Sequence, residues 1–205
     1  MKKTKFILLA CCCLFLSVAI HAQKLWTEND RKYLLDSLIN TRDLVIKETA
    51  NLSPAQWNFK ESPDRWSIKE VVEHITIWEL LLSHEVSKAL SAGLQPDLNK
   101  TAKPDSIYYG FIMEEKPHIS VEYTKPFTYT LPMGLNDGKN NVAWFLKMRN
   151  ESIEWIKTAK DDLRGHYLKP GRPNVHQVYI TIYGHSQRHV KQIKKIKAHV
   201  SYPKG

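Results

Sequence analysis

Apolar residues recur at spacings of three and four along four stretches of the chain, each bounded by residues that start or stop a helix. The first predicted helix runs from about Thr27 to about Leu52, with Thr27 as N-cap and Asp30 three residues on. Tyr33, Leu34, Leu38, Leu44 and Val45 form its apolar positions, and Ser53-Pro54 closes it. The second begins after Ser67, where Glu70 completes a capping-box pattern. Its stripe is Ile68, Val71, Val72, Ile75, Trp78, Leu82, Val86 and Leu90, and Gly93 supplies the stop. The third covers roughly 140–161, with Val142, Phe145, Met148, Ile153 and Ile156 inward; the fourth covers roughly 174–200. Gly165 and the turn Pro170-Gly171-Arg172-Pro173 separate these two. Between the second and third helices lies an irregular stretch, 94–138. Here Asp105–Glu115 reads as a short helix, Phe127–Leu131 as an extended piece, and Pro117, Pro126 and Pro132 forbid any long helix. Four amphipathic helices with one long crossover predict an all-α four-helix bundle. A connection of that length is a candidate lid.

The N-terminus changes the domain boundaries. Lys2, Lys3 and Lys5 precede an uncharged apolar run from Phe6 to Ile20, and Ala22 offers a small residue for cleavage. Residues 1–22 therefore read as a secretory signal peptide and 23–205 as one domain, exported to the periplasm or beyond. A membrane anchor is the competing reading, but a run of about 15 residues is short for a span of ~20. A lipoprotein signal at Leu8-Leu9-Ala10-Cys11 would leave too brief an apolar segment before it. After cleavage no stable membrane insertion is expected. Cys11, Cys12 and Cys13 all lie in the leader, so the domain has no disulfide, thiolate ligand or cysteine nucleophile. The net charge of +9 falls to about +6 without the leader lysines. Arg188, Lys191, Lys194, Lys195 and Lys197 crowd the last helix. Outside the cytoplasm these read as a solvated face rather than a nucleic-acid surface.

The last helix also carries the chemistry. Its stripe reads Val178, Ile182, His185, His189, Ile193, Ile196 and Val200. Two histidines four apart project from one helical face and reach a common metal ion. Spacing alone discriminates little, since nine histidines in 205 residues give roughly 0.4 such pairs by chance. Position discriminates better, because buried imidazoles without partners cost about 1–3 kcal/mol each. His74, at the edge of the second helix's stripe, is the candidate third nitrogen. Three protein ligands leave positions open for water or substrate.

Trp66-Ser67-Ile68-Lys69-Glu70-Val71-Val72-Glu73-His74-Ile75 resembles the Trp-Ser…Glu…His-Leu signature of the DinB-like superfamily of damage-inducible metalloproteins. Gly184-His185-Ser186-Gln187-Arg188-His189 resembles its C-terminal H-x-x-x-H helix, and Leu52-Ser53…Trp57 resembles the approach to the first histidine helix. The likeness covers roughly 25–200. It implies an up-down-down-up bundle, often dimeric, with a three-histidine site for zinc, nickel or another divalent ion. His74, His185 and His189 match that site one by one. Assigned members include thiol transferases and a thiol-dependent isomerase, but an export signal separates this chain from cytosolic thiol pools.

Glu70, Trp78 and Arg188 are the candidates to surround the ligands, Glu70 as hydrogen-bond partner or general base, Trp78 as a pocket wall, and Arg188 with Gln192 to orient a substrate anion. Glu70 reads equally as a helix cap, Glu73 and Glu79 as surface carboxylates, and Arg188 as solvated. His84, His118, His166, His176 and His199 read as surface or loop residues. The expected function is a metal-dependent hydrolase or transferase acting on a small molecule. The alternative is a non-catalytic exported bundle that binds a small molecule or partner.

Overall fold

The computed structural model describes residues 25–114, 130–134 and 136–204. The leader at 1–22, His118 and most of the expected extended piece at 127–131 lie outside those residues. Four long helices form the body: α1 (Glu28–Thr49), α3 (Ile68–Ser91), α5 (Gly138–Thr158) and α6 (Val175–Lys197). Two shorter ones, α2 (Pro54–Asn58) and α4 (Asp105–Met113), and a 3-10 helix at Pro96–Thr101 complete the described helices.

Local chemistry sets the starts. Thr27, Ser53, Ser67 and Asn174 each accept from the amide three residues on, and Asp30, Gln56, Glu70 and Gln177 reciprocate. These reciprocal caps satisfy amides that a helix start leaves orphaned. The first helix ends at Thr49 rather than Leu52, because Ser53-Pro54 opens the extra helix α2. A proline at the first helical position gives up no bond there.

Contacts between side chains fix the directions. Arg31 donates to the carbonyls of Ile156 and Ala159, and Arg42 to Asn150, so α1 and α5 run antiparallel. Asn141 reaches the Lys69 carbonyl and Arg149 pairs with Glu79, so α3 and α5 run parallel. The Tyr33 and Tyr183 hydroxyls meet near one end of α1 and α6, and Glu48 pairs with Lys197 near the other, which makes those helices parallel. The His74 ring neighbours His189 while Leu82 and Val86 share a core with Val178 and Tyr179, so α3 and α6 oppose. The bundle is thus up-down-down-up, with the helices in ring order α1, α5, α3, α6.

Two buried apolar clusters fill it. One centres on Leu34, Leu38, Val86, Ile153 and Ile182, the other on Val45, Ile68, Val72, Phe145, Val190 and Ile193. Close to their junction sits a buried ion pair. Arg149, with no exposed surface, donates to both Glu79 oxygens, to the Leu38 carbonyl, and to the Thr41 and Ser186 hydroxyls. One guanidinium therefore ties all four long helices together. Glu79 is consequently no surface carboxylate: a fully buried arginine on α5 holds it inside.

The helix α4 lies against α6, where Tyr109 donates to Gln187. A methyl group on Gly184 would sit 2.6 Å from Ile112 Cγ2, so this close approach requires glycine. Two histidines expected at the surface are buried here. His166 is 5 % exposed and His176 1 %. His176 Nδ1 accepts from the Trp26 indole, and its Nε2 faces Asp105 at 3.4 Å. Asp105 and Asp30 also receive Arg164, and Asp162 accepts from the amides of Leu25 and Trp26. Neutral imidazole with two partners is a stable core group, which makes burial of His176 inexpensive. His84 is exposed and His199 half-buried. No described helix is long and apolar enough to cross a membrane.

Candidate metal centre

His74 comes from the second turn of α3, and His185 and His189 from successive turns of α6. Antiparallel packing of those helices brings the three rings together, with centroids 5.0 Å apart for His74–His185, 4.8 Å for His74–His189 and 4.5 Å for His185–His189. All three are at least nine-tenths buried. One ring nitrogen from each lies within 4.8 Å of the others, so the three could hold one metal ion.

The donor set fits such an ion. In a tetrahedral zinc site with Zn–N of about 2.0–2.1 Å, ligand nitrogens sit roughly 3.3 Å apart. His185 Nε2 and His189 Nε2 are already 3.1 Å apart. Closing the widest pair asks for side-chain shifts of up to about 1.5 Å. Two rings are also held in the correct tautomer. His74 Nδ1 is 2.7 Å from the Thr130 carbonyl, and His189 Nδ1 is 2.8 Å from Gln192 Oε1. Each acceptor takes a proton from Nδ1 and so puts the ring's lone pair on Nε2, the usual arrangement of histidine ligands. Burial lowers the His74 pKa to about 4; the Thr130 carbonyl pulls the other way and the Arg188 charge adds to the lowering. The ring is therefore neutral at physiological pH, as a ligand must be.

The DinB superfamily profile matches residues 37–193, well over half of the chain. The chain belongs to the DinB superfamily. No curated protein and no solved structure gives a significant match. In this superfamily member the matched region spans all three histidines, the whole of α3 and α5, and most of α1 and α6.

Around the histidines, the sequence-expected neighbours separate. Trp78 stands edge-on to His74 at 6.4 Å and tilted over His185 at 5.6 Å. Arg188 Nη2 is 2.9 Å from His189 Nε2, and its Nε is buried without a hydrogen-bond partner among the described residues. Burial lowers the pKa of this guanidinium. Glu70 does not join them: its carboxylate caps α3 through Ser67 and pairs with Lys60.

Two residues were invisible as site members in sequence. Trp66 packs its ring 4.6 Å from His74 and stacks at 6.4 Å on His189. Glu73 is not at the surface but 3 % exposed, and its two oxygens accept from the amides of Met133 and Gly134 at 2.9 Å each. Glu73 and His74 thus grip the segment 130–134 side by side, one by its amides and the other by its Thr130 carbonyl. The Thr130 hydroxyl is fully buried and unpartnered among the described residues. A surface cleft of about 180 Å³ lies elsewhere, lined by Val86, Met148, Trp155 and Tyr179. It contains no cluster of ligating groups, so the histidines and not the cleft define the candidate site.

Proposed function

We propose that this DinB-superfamily protein is exported and binds one divalent ion, zinc or nickel, through His74, His185 and His189, as a metal-dependent hydrolase or transferase of a small molecule. The observation that carries the reading is the buried triad, with two Nδ1 positions tied to acceptors and the opposite lone pairs converging. Burying three imidazoles on apolar stripes has a clear physical reason if a metal uses their lone pairs. When bound, an ion with three protein ligands supplies Lewis acidity toward a water or substrate oxygen. The chain's own residues keep the His74 ring neutral, orient His74 and His189, wall the site with Trp66 and Trp78, and hold 130–134 beside it. Export is supported by the leader pattern, Lys2, Lys3 and Lys5 before the uncharged apolar run Phe6 to Ile20. Homodimerisation follows from the family resemblance, and nothing in the composition calls for nucleic acid.

A second reading, a non-catalytic binding bundle, draws on a specific fact. Glu70, Glu73 and Glu79 are each committed to a cap, a backbone grip or an ion pair, so none stands ready as a general base. Elemental analysis of untagged protein tests the metal in both readings. We expect about one zinc or nickel per chain, lost in His74→Ala and His185→Ala. Metal-free protein with no thermal shift on adding either ion would refute it. Turnover of simple esters, amides or phosphoesters by the loaded protein separates the enzyme from the binder.

A further inference from the structure

We propose that Arg188 is an anion-recognising residue of this site and that the ligand bound beside the metal position is a small organic carboxylate. The inference rests on the metal reading above.

The geometry of one guanidinium edge carries it. Nε–H and one Nη2–H leave the same edge of an arginine in parallel, at the spacing of two carboxylate oxygens. In Arg188 one end of that edge meets the histidines, with Nη2 2.9 Å from His189 Nε2, while Nε is buried with no partner among the described residues. The His189 nitrogen is the one left for a metal by the Gln192 contact. Once a metal takes that lone pair, Nη2 loses its acceptor. Two parallel donors then border the coordination position, one of them the buried Nε–H that has no partner among the described residues, a situation proteins seldom leave unsatisfied.

Charge points the same way. Three neutral imidazoles bring no negative charge, and a divalent ion beside a guanidinium concentrates positive charge in a buried place. No described carboxylate joins the histidine cluster to sit against that charge. Glu70 is bonded to Lys60, Glu73 to backbone amides, and Glu79 to Arg149. A ligand carboxylate in contact with both metal and guanidinium would remove the imbalance and use both donors at once. Arginine suits this role better than lysine because its fork is planar and less strongly hydrated. The indoles of Trp66 and Trp78 against His74 give the site apolar walls, which favour an organic carboxylate over the more strongly hydrated phosphate.

The test uses the purified full-length domain loaded with cobalt(II), whose visible absorption reports its coordination. Acetate, benzoate and inorganic phosphate are titrated at constant ionic strength, with metal per chain measured on the same samples. Wild-type protein should show a saturable spectral change with the carboxylates, benzoate binding more tightly than acetate. Arg188→Gln should keep its metal and lose about 10- to 100-fold in carboxylate affinity, as expected for charged hydrogen bonds. Arg188→Lys, which keeps the charge without the fork, should fall between; it also serves if Arg188→Gln does not fold. Equal affinity in wild type and either variant overturns the proposal, and tighter phosphate binding overturns the ligand class. Metal-loaded wild type with no anion response sinks this inference alone. Wild type that takes up no metal sinks the metal reading with it.

Discussion

Replacing Arg149 by methionine probes the fold at its most exposed weakness. The guanidinium has no exposed surface and makes five hydrogen bonds, two of them to Glu79 at 2.6 and 3.0 Å. Methionine fills most of the volume but leaves the Glu79 carboxylate, itself 2 % exposed, without its counter-ion. Breaking a buried pair from one side costs about 3–5 kcal/mol. Thr41 and Ser186 soften the blow, since each hydroxyl keeps a bond to a carbonyl of its own helix. Against a total stability of about 5–15 kcal/mol the loss is a large fraction. It should lower the melting temperature by about 6–20 °C. Urea unfolding followed by circular dichroism measures it. The companion variant removes both charges, Arg149→Met with Glu79→Leu, and should recover most of the loss, because eliminating a whole buried pair is often neutral or better. Acid supplies a further check. Burial pushes the Glu79 carboxyl above its ordinary value while Arg149 pulls it down, so losing Arg149 raises it further. A raised carboxylate pKa penalises the fold only above the unfolded value, so the deficit of Arg149→Met should shrink as pH falls toward about 4.5. A single variant that loses under about 1 kcal/mol, or a double variant no better than the single, would refute the account of this pair as a mutually dependent link.

Other outcomes follow from the same contacts. Glu73→Ala frees the amides of Met133 and Gly134 and so loosens the carbonyl that orients His74; metal affinity should fall about 10- to 100-fold, read by competition with a chromophoric chelator, whereas an unchanged affinity would make the grip irrelevant to the site. Asp105→Asn tests the cluster with Arg164 and His176. Burial works to raise the Asp105 carboxyl, but bonds from His176, Arg164 and Gln177 hold it well below the ordinary value. Its contribution is therefore full above about pH 4 and lost as acid protonates it. The gap in melting temperature between wild type and Asp105→Asn should be widest near neutrality and narrow steadily as pH falls below about 4, and a constant gap would contradict this.

The four long helices were legible because their caps and stripes are local. Thr27, Ser67 and Asn174 announce starts within three residues, and Gly93 takes the positive φ of 81° expected of a stop. Helix α2 is too short for periodicity to register, although Ser53-Pro54 with Gln56 is a start signal as well as a stop. The histidine triad was legible through motif order and stripe position. Its surroundings were not, for reasons of distance and backbone. Arg149 and Glu79 are 70 residues apart, so nothing local pairs them. Glu73 and His74 bind main-chain groups, which carry no residue identity. His176 needed Trp26, 150 positions away, to become a comfortable core residue.

The parallel pairing of α3 and α5 has a consequence for how the site is covered. A chain leaving α3 at Ser91 cannot turn sharply into α5; it must travel back along a 24-residue helix, roughly 36 Å, before α5 can begin at Gly138 beside Trp57. Before α5 begins, Thr130 to Gly134 rest on His74 and Glu73 in the second turn of α3. An antiparallel neighbour would have needed only a tight turn and would have brought no chain across the histidines. The cover beside the site is thus a by-product of helix direction, supplied by a segment separate from α3 and α6, the two helices that carry the histidines.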